Sequence, residues 1–169
     1  SLKAMTSNYA SFIVDGTLTL PEEIEGKPVK EVGDCLEIQQ GIKVVFPASI
    51  DRFSPDSWLC TVDGSVQEIH IMCQEVFEGK NGEGLIGFFE SGSDTELTDI
   101  YFYPTDITGG PTDIIGYLGQ FNKLKNAVTI HVSSQAVLDK FNANAKVQRD
   151  LASGKLILVK DLEVSGDAT

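Results

Sequence analysis

One phrase recurs along this chain: an apolar residue, a spacer, a second apolar residue and, in three copies, a proline close behind. It reads Leu18-Thr19-Leu20-Pro21, Val44-Val45-Phe46-Pro47, Ile69-His70-Ile71, Ile100-Tyr101-Phe102-Tyr103-Pro104 and Val128-Thr129-Ile130. With Leu20, Phe46, Ile71, Phe102 and Ile130 as the equivalent position, the steps are roughly 25 to 31 residues. Recurrence at such a period predicts a solenoid. A unit of this size buries too little apolar surface to stand alone, so neighbouring units must stack.

Within each copy the apolar residues alternate with Thr, Val, His or Tyr, which is the period of a strand rather than of a helix. Successive strand side chains point to opposite faces. Leu18, Leu20, Val44, Phe46, Ile69, Ile71, Ile100, Phe102, Val128 and Ile130 are therefore expected to point inward together as a core ladder. Proline lacks an N–H for the ladder and closes the strand it follows. Between strands, Ile24, Val29, Val32, Ile50, Phe53 and Trp58 are expected to fill the other walls of each coil.

From Thr112, an N-cap candidate after Pro111, Ile114, Ile115, Leu118 and Phe121 fall on one face of a short helix, which Gly116 and Gly119 weaken. A firmer helix is predicted to start after Ser133 or Ser134, to present Val137, Leu138, Phe141, Ala145 and Leu151, and to stop at Gly154. Lys155 to Lys160 reads as a last buried strand. A terminal helix and strand suit a capping unit over an open coil end. Gln74 to Asp94 breaks the period and carries Gly79, Gly82, Gly84 and Gly87, as an insertion or an irregular coil.

The chain has 169 residues, enough for one domain with a sizeable core, and no break in composition suggests two. Its 13 basic and 25 acidic residues give a formal charge of -12 and a pI near 4.4. That balance repels phosphate backbones and anionic lipid headgroups, which argues against nucleic acid and membrane surfaces as partners. No run approaches the roughly 18 apolar residues of a membrane span, so no direct membrane insertion is expected in this segment. The opening Ser1-Leu2-Lys3-Ala4-Met5 lacks a signal-peptide apolar stretch, and neither shows nor excludes export.

Three cysteines cannot all pair within one chain, and none has a CxxC or Cys/His metal spacing. Cys35 and Cys60 fall near the same point of successive coils. A disulfide between them is geometrically conceivable; two buried thiols are the preferred reading, because free Cys behaves as a small core hydrophobe.

With the strands in phase, the residues resemble the BspA-like type of leucine-rich repeat, found in bacterial surface proteins and some microbial eukaryotes. The family phrase runs apolar-x-x-apolar-x-apolar-Pro, then apolar residues, Ile-Gly, an aromatic and a Cys. Leu18-Thr19-Leu20-Pro21 with Ile24, Val29, Val32 and Gly33 resembles one unit, and Val44-Val45-Phe46-Pro47 with Ile50, Phe53, Trp58 and Cys60 the next. Val66 to Ile71 begins a third, and Leu97-Thr98-Asp99-Ile100-Tyr101-Phe102-Tyr103 is similar to a late repeat. Val128-Thr129-Ile130-His131-Val132 followed by a helix resembles a closing unit. The likeness covers most of residues 16 to 160, and the observed period lies close to the roughly 20 to 29 residues of leucine-rich repeats. Met72 stands where proline is expected and Pro104 comes one residue late.

The resulting expectation is an α/β repeat: one leucine-rich repeat solenoid domain over 1–169, of about four or five coils. Its strands are short and parallel, and its convex side is irregular or briefly helical. Repeats occupy about 16–132 and a C-terminal capping helix and strand about 133–160. The resemblance implies a non-enzymatic recognition or adhesion module, secreted or at a microbial cell surface, with a host or neighbouring-cell protein or a glycan as ligand.

Strand alternation points the spacer residues Thr19, Val45, His70, Tyr101 and Thr129 outward, flanked by Lys43, Glu68 and Asp99 on one side and by Met72, Tyr103 and His131 on the other. The candidate ligand-binding face is accordingly His70, Met72, Tyr101, Tyr103, Thr129 and His131, because exposed aromatics suit recognition of protein or sugar. The bland reading is that Tyr and Thr favour strands and shield the sheet. The same phasing sets the two histidines two strands apart, out of register and about 10 Å or more from each other, and no Cys, Asp or Glu triad completes them, so they read as surface histidines rather than ligands.

No catalytic residues, metal site or cofactor are expected. Gly82-Glu83-Gly84-Leu85-Ile86-Gly87 matches GxGxxG literally, but Phe88-Phe89-Glu90 does not open a helix and no βαβ unit surrounds it. The acidic residues Glu78, Glu83, Glu90, Asp94, Glu96 and Asp99 lack EF-hand spacing. Adjacent carboxylates such as Glu22-Glu23 point apart in a turn. Two rival readings stand beside recognition: a structural spacer in a larger surface protein, and a hydrolase using the Gly-rich loop as part of a cleft.

Overall fold

Apolar-x-apolar segments become strands, and each of the long strands pairs in parallel with the one before it in sequence. The computed structural model of the chain describes residues 9–32, 37–38, 40–53, 61–62, 64–78, 96–108 and 124–163. Strands β1 (Ile13–Val14), β2 (Thr17–Thr19), β3 (Glu23–Ile24), β4 (Lys27–Pro28), β5 (Glu31–Val32) and β6 (Glu37–Ile38) lead into β7 (Lys43–Phe46). There follow β8 (Arg52–Phe53), β9 (Thr61–Val62), β10 (Glu68–Ile71), β11 (Glu75–Glu78), β12 (Asp99–Phe102), β13 (Asp106–Thr108) and β14 (Val128–Val132). Helices α1 (Gln135–Asn142) and α2 (Ala145–Ala152) precede the last strand, β15 (Leu156–Lys160).

A seven-stranded sheet in the order β1-β2-β7-β10-β12-β14-β15 carries the architecture. Every pairing in it is parallel except β1 with β2. A second, four-stranded parallel sheet, β13-β11-β8-β5, forms from segments that follow the long strands. Among the described residues the fold is thus mostly parallel sheet with two short helices, compatible with the α/β class.

All ten residues of the expected inward ladder are at most 1% exposed. Val132 and Ile50 are equally buried, and Val76 of β11 and Ile107 of β13 in the second sheet are buried with them. Pro47 and Pro104 are buried where their strands end. Ile24, expected in a coil wall, is instead 45% exposed. It lies in a two-residue hairpin whose central residues, Glu25 and Gly26, both take positive φ, 51° and 75°. Asp15 and Gly16 make the same turn between β1 and β2, with φ of 49° and 78°. This is the mirror-image turn that matches strand twist, and Gly enters it without strain.

The C-terminal region differs from expectation in two ways. The expected single helix is two, because Asn144 starts the second one: its Oδ1 accepts from Val147 N at 3.2 Å. Ala145 is consequently exposed, and Val147 takes the buried position. The final strand is not buried on both faces but lies at the sheet edge, with Leu156 inside and Ile157 46% exposed. Ser134 is the N-cap of α1, accepting from Val137 N at 3.1 Å. Phe141 of α1 meets Phe102 edge-on, with ring centroids 5.7 Å apart, which seats the helix on the same core. Lys140 Nζ holds the other side of α1, donating to Asp106 Oδ1 at 2.8 Å and to the Ile107 carbonyl.

The expected helix from Thr112, the Gly-rich stretch 79–87, Gly33, Trp58, Cys35 and Cys60 lie outside the described residues. Among the described residues, no helix is long and apolar enough to cross a membrane. Cys73 is a buried free thiol.

Candidate recognition face

Parallel pairing carries each outward position of one strand onto its equivalent in the next, so like positions form rows across the seven-stranded sheet. One row is Lys43, Glu68, Asp99 and Thr129. The next is Val45, His70, Tyr101, His131 and Val159. Met72 and Tyr103 lie beyond the strand ends, held by their N–H groups to the Phe46 and Ile71 carbonyls.

The register of β14 corrects the expected arrangement of the face. Thr129 pairs with Asp99, and His131 with Tyr101, two positions along from the phasing that made Ile130 equivalent to Phe102. The two histidines are therefore in register on either side of Tyr101 rather than offset. Their rings stack on it: His70 at a centroid distance of 4.4 Å and 17°, His131 at 4.4 Å and 5°. The cause lies in the strand, where Val128, Ile130 and Val132 are all fully buried. Three inward residues fit the neighbouring pair in either of two frames, and the contacts of His131 accompany the frame adopted.

Stacking also changes what the face presents. The side chains of His70 and His131 are only 12% and 15% exposed, because each ring covers its neighbour. What reaches solvent is a band of ring edges flanked by carboxylates, with Tyr103 and Met72 half-buried beside it. Of the six residues proposed for the face, the structure brings His70, Tyr101 and His131 into one stack. Thr129 falls in the acidic row, and Met72 and Tyr103 at the strand ends.

The electrostatics of the stack are asymmetric. His70 Nε2 lies 3.2 Å from Glu68 Oε2. Burial pulls the His70 pKa down more than the Glu68 contact lifts it, and Lys43 adds to the lowering, so it stays below its ordinary 6.5. His131 behaves oppositely. Burial is the largest single influence and lowers its pKa, but hydrogen bonds and charge from Asp99 and Asp161 together outweigh it and raise the pKa above 6.5. Tyr101 is pushed above the usual phenol range by burial first, then by Asp99, Glu68 and Asp161.

Asp161 was not a candidate from sequence. It follows β15, two residues beyond the register partner of His131, so its role becomes visible only once that pairing is known. Among the described residues, no group of three or more His, Cys, Asp or Glu is placed to hold a metal ion. Comparison with family models, curated proteins and solved structures finds no match to the chain.

Proposed function

We propose that this chain is a leucine-rich repeat solenoid of the BspA-like type, and that it serves as a non-enzymatic recognition module through the outward face of its seven-stranded sheet. The observation that carries this reading is the in-register row His70, Tyr101 and His131 beside Tyr103 and Met72. A flat, rigid band of aromatic and imidazole edges with flanking carboxylates offers both apolar contact and hydrogen bonds at small entropic cost. The ligand class is a protein or a glycan on host or neighbouring cells, and the setting a microbial surface. Sheets built from stacked units leave their outward positions free to vary while the core is held, which suits this use.

A structural spacer is the second reading, favoured by the low exposure of the two stacked histidines. Such a row would then serve to shield the sheet. The deciding experiment is a binding screen against extracellular-matrix proteins, mucins and a glycan panel. Tyr101→Ala combined with Tyr103→Ala is run alongside, with circular dichroism to show that it is folded. Saturable binding lost in the folded variant supports recognition. Absence of binding across the screen by the folded protein favours the spacer, and binding unaffected by the double substitution moves the site elsewhere.

A further inference from the structure

His131 sits between two carboxylates with both ring nitrogens engaged. Its Nε2 lies 2.8 Å from Asp99 Oδ1, and its Nδ1 lies 2.8 and 3.0 Å from the two oxygens of Asp161. Asp99 is on β12, His131 on β14, and Asp161 just beyond β15, so the three side chains run diagonally across three strands. Asp99 is itself fixed by Thr98 Oγ1, which donates to its Oδ2 at 2.7 Å. Leu162 N donates to the Val132 carbonyl at 3.2 Å, keeping Asp161 against β14.

A neutral imidazole has one N–H donor, and an ionised carboxylate only accepts. With a neutral ring, one of the two carboxylates would face a nitrogen lone pair at hydrogen-bond distance. Only the doubly protonated ring gives each carboxylate a donor, and each bond is then charge-assisted. The cation also lies flat against the face of Tyr101, whose ring quadrupole favours it.

From this geometry we infer that Asp99, His131 and Asp161 form a pH-sensitive latch, in which imidazolium His131 fastens the edge strand β15 to the rest of the seven-stranded sheet. The charged and titratable groups that face the ring are Asp99 and Tyr101 from β12 and Asp161 from the segment after β15. On β15 itself its register partner is Val159, which carries no charge. Beyond Tyr101, the stack continues to His70 with Glu68 on β10, and to Lys43 on β7.

The direction follows from linkage. A histidine whose folded pKa lies above the unfolded value contributes stability that is complete below about 6.5 and is lost as pH rises through the folded pKa. His70 has the opposite sign, and its contribution is lost as pH falls through its lowered folded pKa. The latch therefore opens on the alkaline side, and it opens at β15 before the central strands. This inference stands whatever the face binds.

The test is a histidine titration by NMR on the whole chain, with amide hydrogen exchange of residues 156–160 followed over the same pH range and corrected for intrinsic rates. The expected result is a His131 midpoint above 6.5, and loss of exchange protection in β15 relative to β10 as pH passes that midpoint. Asp161→Asn should lower the midpoint and remove the pH dependence of β15 protection, while His131→Gln should remove that pH dependence. A His131 midpoint at or below 6.5 would overturn the latch. So would β15 protection that follows pH identically in wild type and Asp161→Asn. Should Asp161→Asn fail to fold, Asp99→Asn serves the same comparison from the other side of the ring.

Discussion

Replacing Phe102 by alanine probes the joint between the sheet and the C-terminal helices. Phe102 is fully buried on β12, with Ile71 and Val132 as its register neighbours and Phe141 of α1 edge-on at 5.7 Å. Deleting a buried phenylalanine ring costs about 3–5 kcal/mol, made up of lost transfer energy and the cavity left behind. Against a total stability of about 5–15 kcal/mol for a domain, that is a large fraction. Of the loss, about 0.5–1.5 kcal/mol belongs to the aromatic pair itself. Urea unfolding followed by far-ultraviolet circular dichroism measures the total. A double-mutant cycle of Phe102→Leu with Phe141→Leu isolates the pair. The reasoning is refuted if Phe102→Ala costs under about 1 kcal/mol, or if the cycle shows no coupling, since α1 would then not be docked through this ring.

Ser134→Ala should destabilise by about 1 kcal/mol, because Ser134 caps α1 at Val137 N and also donates to the Thr105 carbonyl at 2.7 Å; thermal melting reads it. Gly16→Ala and Gly26→Ala should each cost about 1–2 kcal/mol for a left-handed alanine. The former should cost more, since its new Cβ would lie 3.2 Å from Ile42 Cδ1, while that of Gly26 would meet only Glu23 Oε1 at 3.8 Å. Chemical denaturation of the two variants ranks them, and equal costs would show that Ile42 yields freely. Cys73 is 1% exposed and burial, with Asp51 adding to it, raises its thiol pKa to about 12. It should therefore resist iodoacetamide at neutral pH until the protein unfolds, as mass spectrometry would show.

The core was legible because it obeys the period of two of a strand, which a helix does not share. Each of the ten inward residues stands one spacer from its partner, and each is buried. The N-cap at Ser134 was legible for a similar reason, a short polar residue just ahead of an apolar face. What escaped was information held between segments. Val128, Ile130 and Val132 satisfy two registers equally, and the choice accompanies contacts of His131 with residues 32 positions before and 30 after it. The two hairpins were carried by Asp15-Gly16 and Glu25-Gly26, a local turn signal that the longer repeat pattern overrode in reading Ile24 as core. The break at Asn144 includes a side-chain hydrogen bond to Val147 N, which a helical pattern of apolar residues does not encode.

The even separation of the paired strands has a kinetic consequence. Apart from the β1–β2 hairpin, neighbouring strands of the large sheet pair residues 25 to 31 positions apart, wherever along the chain they lie. Closing loops of those lengths differs in entropy by only about 0.2 kcal/mol, so no single closure is the natural bottleneck. The first pairing to form should be the one whose side chains pack best, rather than the one nearest in sequence. Each later strand then adds to a template already present, at nearly the same entropic cost as the one before. Assembly would spread outward from a centre to both edges, and mutations in β10 or β12 should slow folding while those in β15 mainly hasten unfolding.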